Sequence, residues 1–176
     1  MTRVLAALLL AQFAPTLATH GRRRLHLISA ADVLSITSSA TTTTSPSSAF
    51  DLLPSTHWRS DAAAPYLSAT LASSAWSLTS YGLSTYGLHG ADAAVAPTAW
   101  SLSCVTASGV AAVVDARSGE TLATDELLHT FALGAPAAGC AELRLDFPSA
   151  AALSDVYLFA AWAAEDACAD ADGFKD

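Results

Sequence analysis

The chain has 176 residues, enough for one domain with a hydrophobic core once the flanking segments are set aside. Hydrophobic residues make up 52% and charged ones 14%, which excludes a disordered chain, and no apolar run is long enough to read as a membrane-spanning helix. Sixteen acidic residues against eight basic ones leave a formal net charge of −8, so nucleic acid and anionic lipid, both polyanionic, are disfavoured as partners.

Residues 1–18, MTRVLAALLLAQFAPTLA, place one arginine before an apolar stretch, then Pro15 and small residues. That layout predicts a secretory signal peptide cleaved near Ala18 or Thr19, and hence a secreted protein. Arg22, Arg23 and Arg24, with no acid before Asp32, leave open a transit peptide for a plastid or other organelle. Residues 19–32 then read as an N-terminal segment, 33–161 as the folded domain and 162–176 as an acidic tail.

Within the domain the dominant signal has period two. In residues 99–105, Trp100, Leu102 and Cys104 alternate with Ser101 and Ser103, and in 142–147, Leu143, Leu145 and Phe147 alternate with Glu142, Arg144 and Asp146. Such alternation predicts half-buried antiparallel strands, because successive side chains of a strand point to opposite faces. Weaker runs occur at 33–38, 66–71, 76–85, 110–115, 129–133 and 155–159. Pro and Gly punctuate them at short intervals, and the stretch Ala135-Pro136-Ala137-Ala138-Gly139 reads as a connection. The expectation is an all-β sandwich of about eight antiparallel strands rather than the helical bundle that the alanine content alone would suggest. Thr41 to Ser48 is a low-complexity loop, Trp58, Trp76 and Trp100 are expected in the core, and Trp162 lies beyond the last strand.

Cys104, Cys140 and Cys168 have no zinc-ligand spacing. In an oxidising compartment Cys104 and Cys140 could pair and leave Cys168 over; in a reducing one all three would be free thiols. The abundant serines lack a Gly-x-Ser-x-Gly elbow and the five histidines are scattered singly, so no catalytic constellation is visible and the chain does not read as an enzyme.

The order of several short motifs resembles the coagulation factor 5/8 type C, or discoidin, domain. Ala49-Phe50-Asp51, Thr56-His57-Trp58 and Pro65-Tyr66-Leu67 resemble its opening, Pro97-Thr98-Ala99-Trp100-Ser101-Leu102 a central strand, and Leu143-Arg144-Leu145 with Leu153 to Phe159 its closing strands. The resemblance departs at Leu52, where the family usually has glycine, and at Ala111, where it usually has tryptophan; no cysteine precedes Cys104 to tie the two ends of the domain. It implies a galactose-binding-like jelly roll and a non-catalytic ligand-binding or adhesion module, most simply one for a carbohydrate on an extracellular surface. The alternatives are a protein–protein interaction module in an organelle or larger assembly, and a divergent hydrolase.

By the same resemblance a structural calcium ion would sit at Asp51, Thr56 and Asp155, hard oxygen ligands of the kind calcium takes. The competing reading gives Asp51 and Thr56 only turn hydrogen bonds. A ligand rim would be built from His57, Arg59, Tyr86 and His89, with Asp92 on the same loop as His89. Its partner would be a glycan or glycoprotein surface, or another protein. The acidic tail around Asp170 and Asp172 resembles a truncated calcium loop, but Cys168 stands in the first ligand place.

Overall fold

The computed structural model describes residues 26–39, 44–53 and 55–162. The proposed signal peptide, Arg22 to Arg24, Cys168 and the acidic tail beyond Trp162 lie outside the described residues. Among the described residues eleven strands run in chain order: β1 (His26–Leu27), β2 (Val33–Ser38), β3 (Trp58–Ser60), β4 (Tyr66–Leu71), β5 (Trp76–Ser84), β6 (Ala99–Thr106), β7 (Ala111–Ser118), β8 (His129–Ala138), β9 (Cys140–Asp146), β10 (Ala151–Leu153) and β11 (Asp155–Trp162). A four-stranded sheet has the order β1-β11-β5-β8, a five-stranded sheet the order β2-β4-β9-β6-β7, and β3 and β10 form a two-stranded ribbon. All pairings are antiparallel. The all-β jelly-roll sandwich expected from the sequence is the observed architecture.

The alternating residues occupy the faces that period two assigns to them. Trp100, Leu102, Cys104, Leu143, Leu145 and Phe147 are buried, as are Leu67 of β4, Leu78, Tyr81 and Leu83 of β5, and Val156 and Leu158 of β11. Together they form one core between the two main sheets. Trp58 and Trp100 lie within it, whereas Trp76 is only partly buried and meets His26 at the border of the four-stranded sheet.

All eight predicted strands are present, and the differences are at short or irregular segments. β1, β3 and β10 were not foreseen, because two or three residues are too few to display a period. His26–Leu27 pairs with β11 and Ile28 joins the core, so the sandwich begins ahead of residue 33. The strand expected to stop at Leu133 runs to Ala138 and includes Pro136. β8 is an outer strand, bonded on one side only, and its register slips between Leu78 and Ser80 of β5; an outer strand with an irregularity tolerates the missing proline N–H. β11 likewise continues to Trp162, whose backbone pairs with that of Trp76.

Cys104 and Cys140 form a disulfide across the neighbouring strands β6 and β9, closing a loop of 36 residues. The chain-entropy account values such a closure at about 4 kcal/mol. A polar seam closes the side where the outer strands β7 and β8 approach. The Tyr81 hydroxyl donates to Asp115 at 2.6 Å and accepts from Trp100 Nε1 at 2.8 Å, and Arg117 Nε donates to Asp115 at 2.8 Å. Burial, followed by the bond to Asp115, pushes the Tyr81 phenol far above its ordinary value. Burial works against the charge of Asp115, but the bonds from Arg117 and Tyr81 outweigh it and hold the carboxyl below its ordinary range. Beside this seam a Cβ at Gly82 would stand 2.3 Å from Leu128 Cδ1, so a larger residue there would have to turn the Leu128 side chain aside.

Candidate functional site

At one end of the sandwich the chain enters β4, leaves β7 and β9, and crosses from β5 to β6 by the loop of residues 85–98. The ribbon of β3 and β10 projects the first group of site residues. Trp58 and Ser60 are fully buried, so Arg59 between them must face outward, the same alternation that organises the main sheets. Its backbone N–H is held by Thr44 Oγ1 at 2.8 Å.

The Arg59 guanidinium bridges two segments. Nε and Nη2 donate to Asp61 Oδ1 at 2.9 and 2.7 Å, and Nη1 donates to Asp92 Oδ1 at 2.8 Å. The other oxygen of Asp92 lies 3.4 Å from His57 Nε2. The bonds to Asp92 and then Asp61 raise the guanidinium pKa further above its ordinary value, so the group is always charged. Beside His57 opens a shallow recess of about 330 Å³, lined by Thr44, Ser45, Ser48, Ser55, Thr56 and His57. Five hydroxyl-bearing residues and one imidazole line this space; Thr44 Oγ1 accepts the Arg59 N–H, Thr56 Oγ1 donates toward Asp51 and Ser45 Oγ meets Ser47 Oγ, so the wall mixes donors and acceptors suited to directional contact with a ligand's hydroxyl groups.

His57 and Arg59 are therefore brought together, as the sequence suggested, and Asp92 joins them. Tyr86 and His89 lie further back on the 85–98 loop, both exposed. The Tyr86 backbone is fixed by Ser154 Oγ, which donates to its carbonyl at 2.6 Å, and by its own N–H on Ser84 Oγ at 3.2 Å. His89 accepts the Asp92 N–H through its carbonyl at 3.2 Å, so it shapes the turn that presents Asp92. Sequence reading missed Asp61 as a partner of Arg59, although two residues apart on an extended segment share a face. It also took Thr44 and Ser45 as mere loop; their hydroxyl content was the available signal.

Asp51, Thr56 and Asp155 also meet. Thr56 Oγ1 lies 2.8 Å from Asp51 Oδ2 and 2.9 Å from both Asp51 Oδ1 and the Leu53 carbonyl, and its single proton serves one of these at a time. Asp51 Oδ1 accepts the Leu53 N–H at 3.0 Å, and Asp155 Oδ1 accepts the Leu52 N–H at 2.9 Å. Leu52 has φ 58°, a left-handed conformation that costs a non-glycine residue roughly 1–2 kcal/mol. That explains why glycine is usual in the resembling domains. Asp155 is 1% exposed, and burial, reinforced by Asp51, pushes its pKa up to about 6 against the single lowering bond from Leu52. The donor set is one of hard oxygens around a buried carboxylate, which suits a hard cation in kind, but no group of three or more His, Cys, Asp or Glu capable of holding a metal occurs among the described residues.

No protein-family model matches the chain, and no curated protein matches it. Solved structures do. The family 32 carbohydrate-binding module of NanJ from Clostridium perfringens, solved with galactose, aligns with a TM-score of 0.59 at 19% identity, covering 77% of this chain and 99% of that one. The family 32 module of AlyQ, solved with 4,5-unsaturated mannuronic acid, aligns at 0.55 and 19%, covering 73% and 95%. Chitosan-binding module 1 of a Paenibacillus sp. IK-5 chitosanase/glucanase aligns at 0.54 and 13%, covering 72% and 94%. The chain has the galactose-binding-like, discoidin fold, the fold of these carbohydrate-binding modules. Among the described residues no helix is long and apolar enough to cross a membrane.

Proposed function

We propose that the chain is a non-catalytic carbohydrate-binding module that attaches to a glycan or glycoprotein on an extracellular surface. The observation that carries this reading is the Arg59 guanidinium clamped between Asp61 and Asp92, with His57 on the same carboxylate and a hydroxyl-lined recess beside it. Charged donors and acceptors held rigid by one another present fixed directions to sugar hydroxyls with little loss of side-chain entropy on binding. The shared fold supports the class, while the ligands named for the similar modules differ among themselves and leave the sugar open. Tyr86 and His89 extend the rim along the 85–98 loop.

An extracellular location is supported by the Cys104–Cys140 disulfide, a bond kept in oxidising compartments, together with the signal-like first 18 residues. Calcium at Asp51, Thr56 and Asp155 is part of the proposal as a structural ion: Asp155 is buried with the Asp51 carboxylate beside it and, among the described residues, no cationic side chain pairs with it, so a hard cation would keep it ionised. A second reading, docking to another protein, draws on Val113 of the outer strand β7 and Val110 just before it, both 63% exposed. A glycan array probed with the processed chain, with and without chelator, tests the main reading. Binding to defined glycans that Arg59→Ala abolishes supports it, and a silent array removes it.

A further inference from the structure

The two main sheets end on four outer strands among the described residues, and three of these carry features that discourage pairing with another chain. β1 has two residues, β8 contains Pro136 and a register slip, and β2 breaks its register between Val33 and Ser35. β7 differs. Its register against β6 skips Val114, but ahead of that bulge Ala111 to Val113 run unbroken opposite Val105 to Ser103.

The Val110 carbonyl accepts the Thr106 N–H at 2.9 Å, which turns that carbonyl toward β6. Backbone groups alternate sides along a strand, so the N–H and C=O of Ala111 and Val113 point away from β6. Because β7 is outermost, no strand among the described residues meets them. The side chains around these groups are apolar and open to solvent: Ala111 and Ala112 are exposed, as are Val110 and Val113. No charged residue occurs in residues 99–114.

This open set is complementary to itself. A two-fold axis through Ala112 places Ala111 of one chain opposite Val113 of another, antiparallel, and each such pair exchanges both of its backbone hydrogen bonds. Charge favours the same arrangement. Asp61, Asp92, Glu120, Asp125, Glu126 and Asp146 gather at the loop end, where β7 and β9 finish and β4 and β8 begin. Antiparallel pairing sends the two loop ends in opposite directions, so the like charges of two chains of net charge −8 stay far apart.

We infer that β7 is a homodimer interface: two copies pair antiparallel through Ala111 and Val113 and join their five-stranded sheets into one. The partner is a second copy of this chain, which narrows the protein-docking reading of this strand and is independent of the glycan reading. In such a dimer the two loop ends face opposite ways, so the module bridges two surfaces instead of gripping one.

Sedimentation velocity of the full processed chain carrying Cys168→Ser, so that no thiol joins two copies, tests this from about 5 to 500 µM protein. A short edge contact corresponds to a Kd on the order of 100 µM. The mass should therefore rise from monomer toward dimer across this range, and more steeply at about 0.5 M than at about 0.05 M salt, as the like charges are screened. Amide hydrogen exchange at Ala111 and Val113 should slow with protein concentration, while that of Ala112, whose N–H faces β6, should not. Val113→Lys should keep the chain monomeric throughout, and Leu34→Lys, at a residue 70% exposed on the outer strand β2, should leave the dimer intact. Circular-dichroism melts confirm that both variants are folded. A monomer at every concentration, a dimer that survives Val113→Lys, or one that Leu34→Lys abolishes overturns the inference, and none of these results bears on the glycan array.

Discussion

Arg59 and Asp92 are 33 residues apart in sequence and 2.8 Å apart in space, and that one ion pair fastens the 85–98 loop to the β3–β10 ribbon. Both side chains are part-exposed, so solvent screening leaves the pair little weight in stability. Its effect is to hold the guanidinium, His57 and the neighbouring recess in one arrangement.

Arg59→Ala should therefore abolish glycan binding while lowering the melting temperature by no more than a few degrees, because a solvent-screened ion pair adds little to stability. Array binding and differential scanning calorimetry measured on the same preparation decide it. A large fall in stability equal to that of a core variant would assign Arg59 to the framework instead.

The two buried indoles should respond differently to loss of their N–H. Trp100 Nε1 donates to the Tyr81 hydroxyl, whereas Trp58 Nε1 is buried without a hydrogen-bond partner among the described residues. Trp100→Phe removes both packing and a partner of the Tyr81–Asp115 seam, at about 2–4 kcal/mol, while Trp58→Phe removes a donor that was already unsatisfied and should cost clearly less. Urea denaturation of the two variants gives the comparison, and the reverse order would contradict the seam's importance. Trp100→Ala should cost roughly 3–5 kcal/mol.

Asp155 makes stability depend on pH with a defined sign. Its pKa in the fold, about 6, lies above the ordinary aspartate value of 3.8, so between these values the folded chain binds more protons than the unfolded one. Its contribution is fully present below pH 4 and is lost as pH rises through 6, a decline on the order of 3 kcal/mol. In the presence of a chelator, unfolding free energies measured from pH 4 to 7 should fall along this course, and Asp155→Asn should flatten it. Excess calcium should cancel or invert the slope, because a bound cation favours the ionised carboxyl. A slope indifferent to calcium would remove the ion from Asp51, Thr56 and Asp155.

Reduction of the Cys104–Cys140 bond, or the paired substitution Cys104→Ala with Cys140→Ala, should lower the unfolding free energy by about 2–4 kcal/mol without altering glycan specificity. The disulfide joins β6 and β9 within the core, away from the hydroxyl-lined recess. Thermal melts with and without reductant, paired with the array, measure both effects.

What could be read from the residues in order was whatever is local. Leu143, Leu145 and Phe147 declared their face by spacing alone, because a strand turns its side chains over every residue whatever it later packs against, and the long strands β4, β5, β6, β9 and β11 were legible for that reason. The order of motifs added the jelly roll. Tertiary structure alone decided which loops meet: that Asp92 reaches Arg59, that the Leu52 amide finds Asp155 across 103 residues, that Thr44 and Ser45 line a recess, and that Pro136 sits harmlessly in an outer strand. These depend on the closing of long segments and on which edge of a sheet is left open, quantities that no short window of sequence contains.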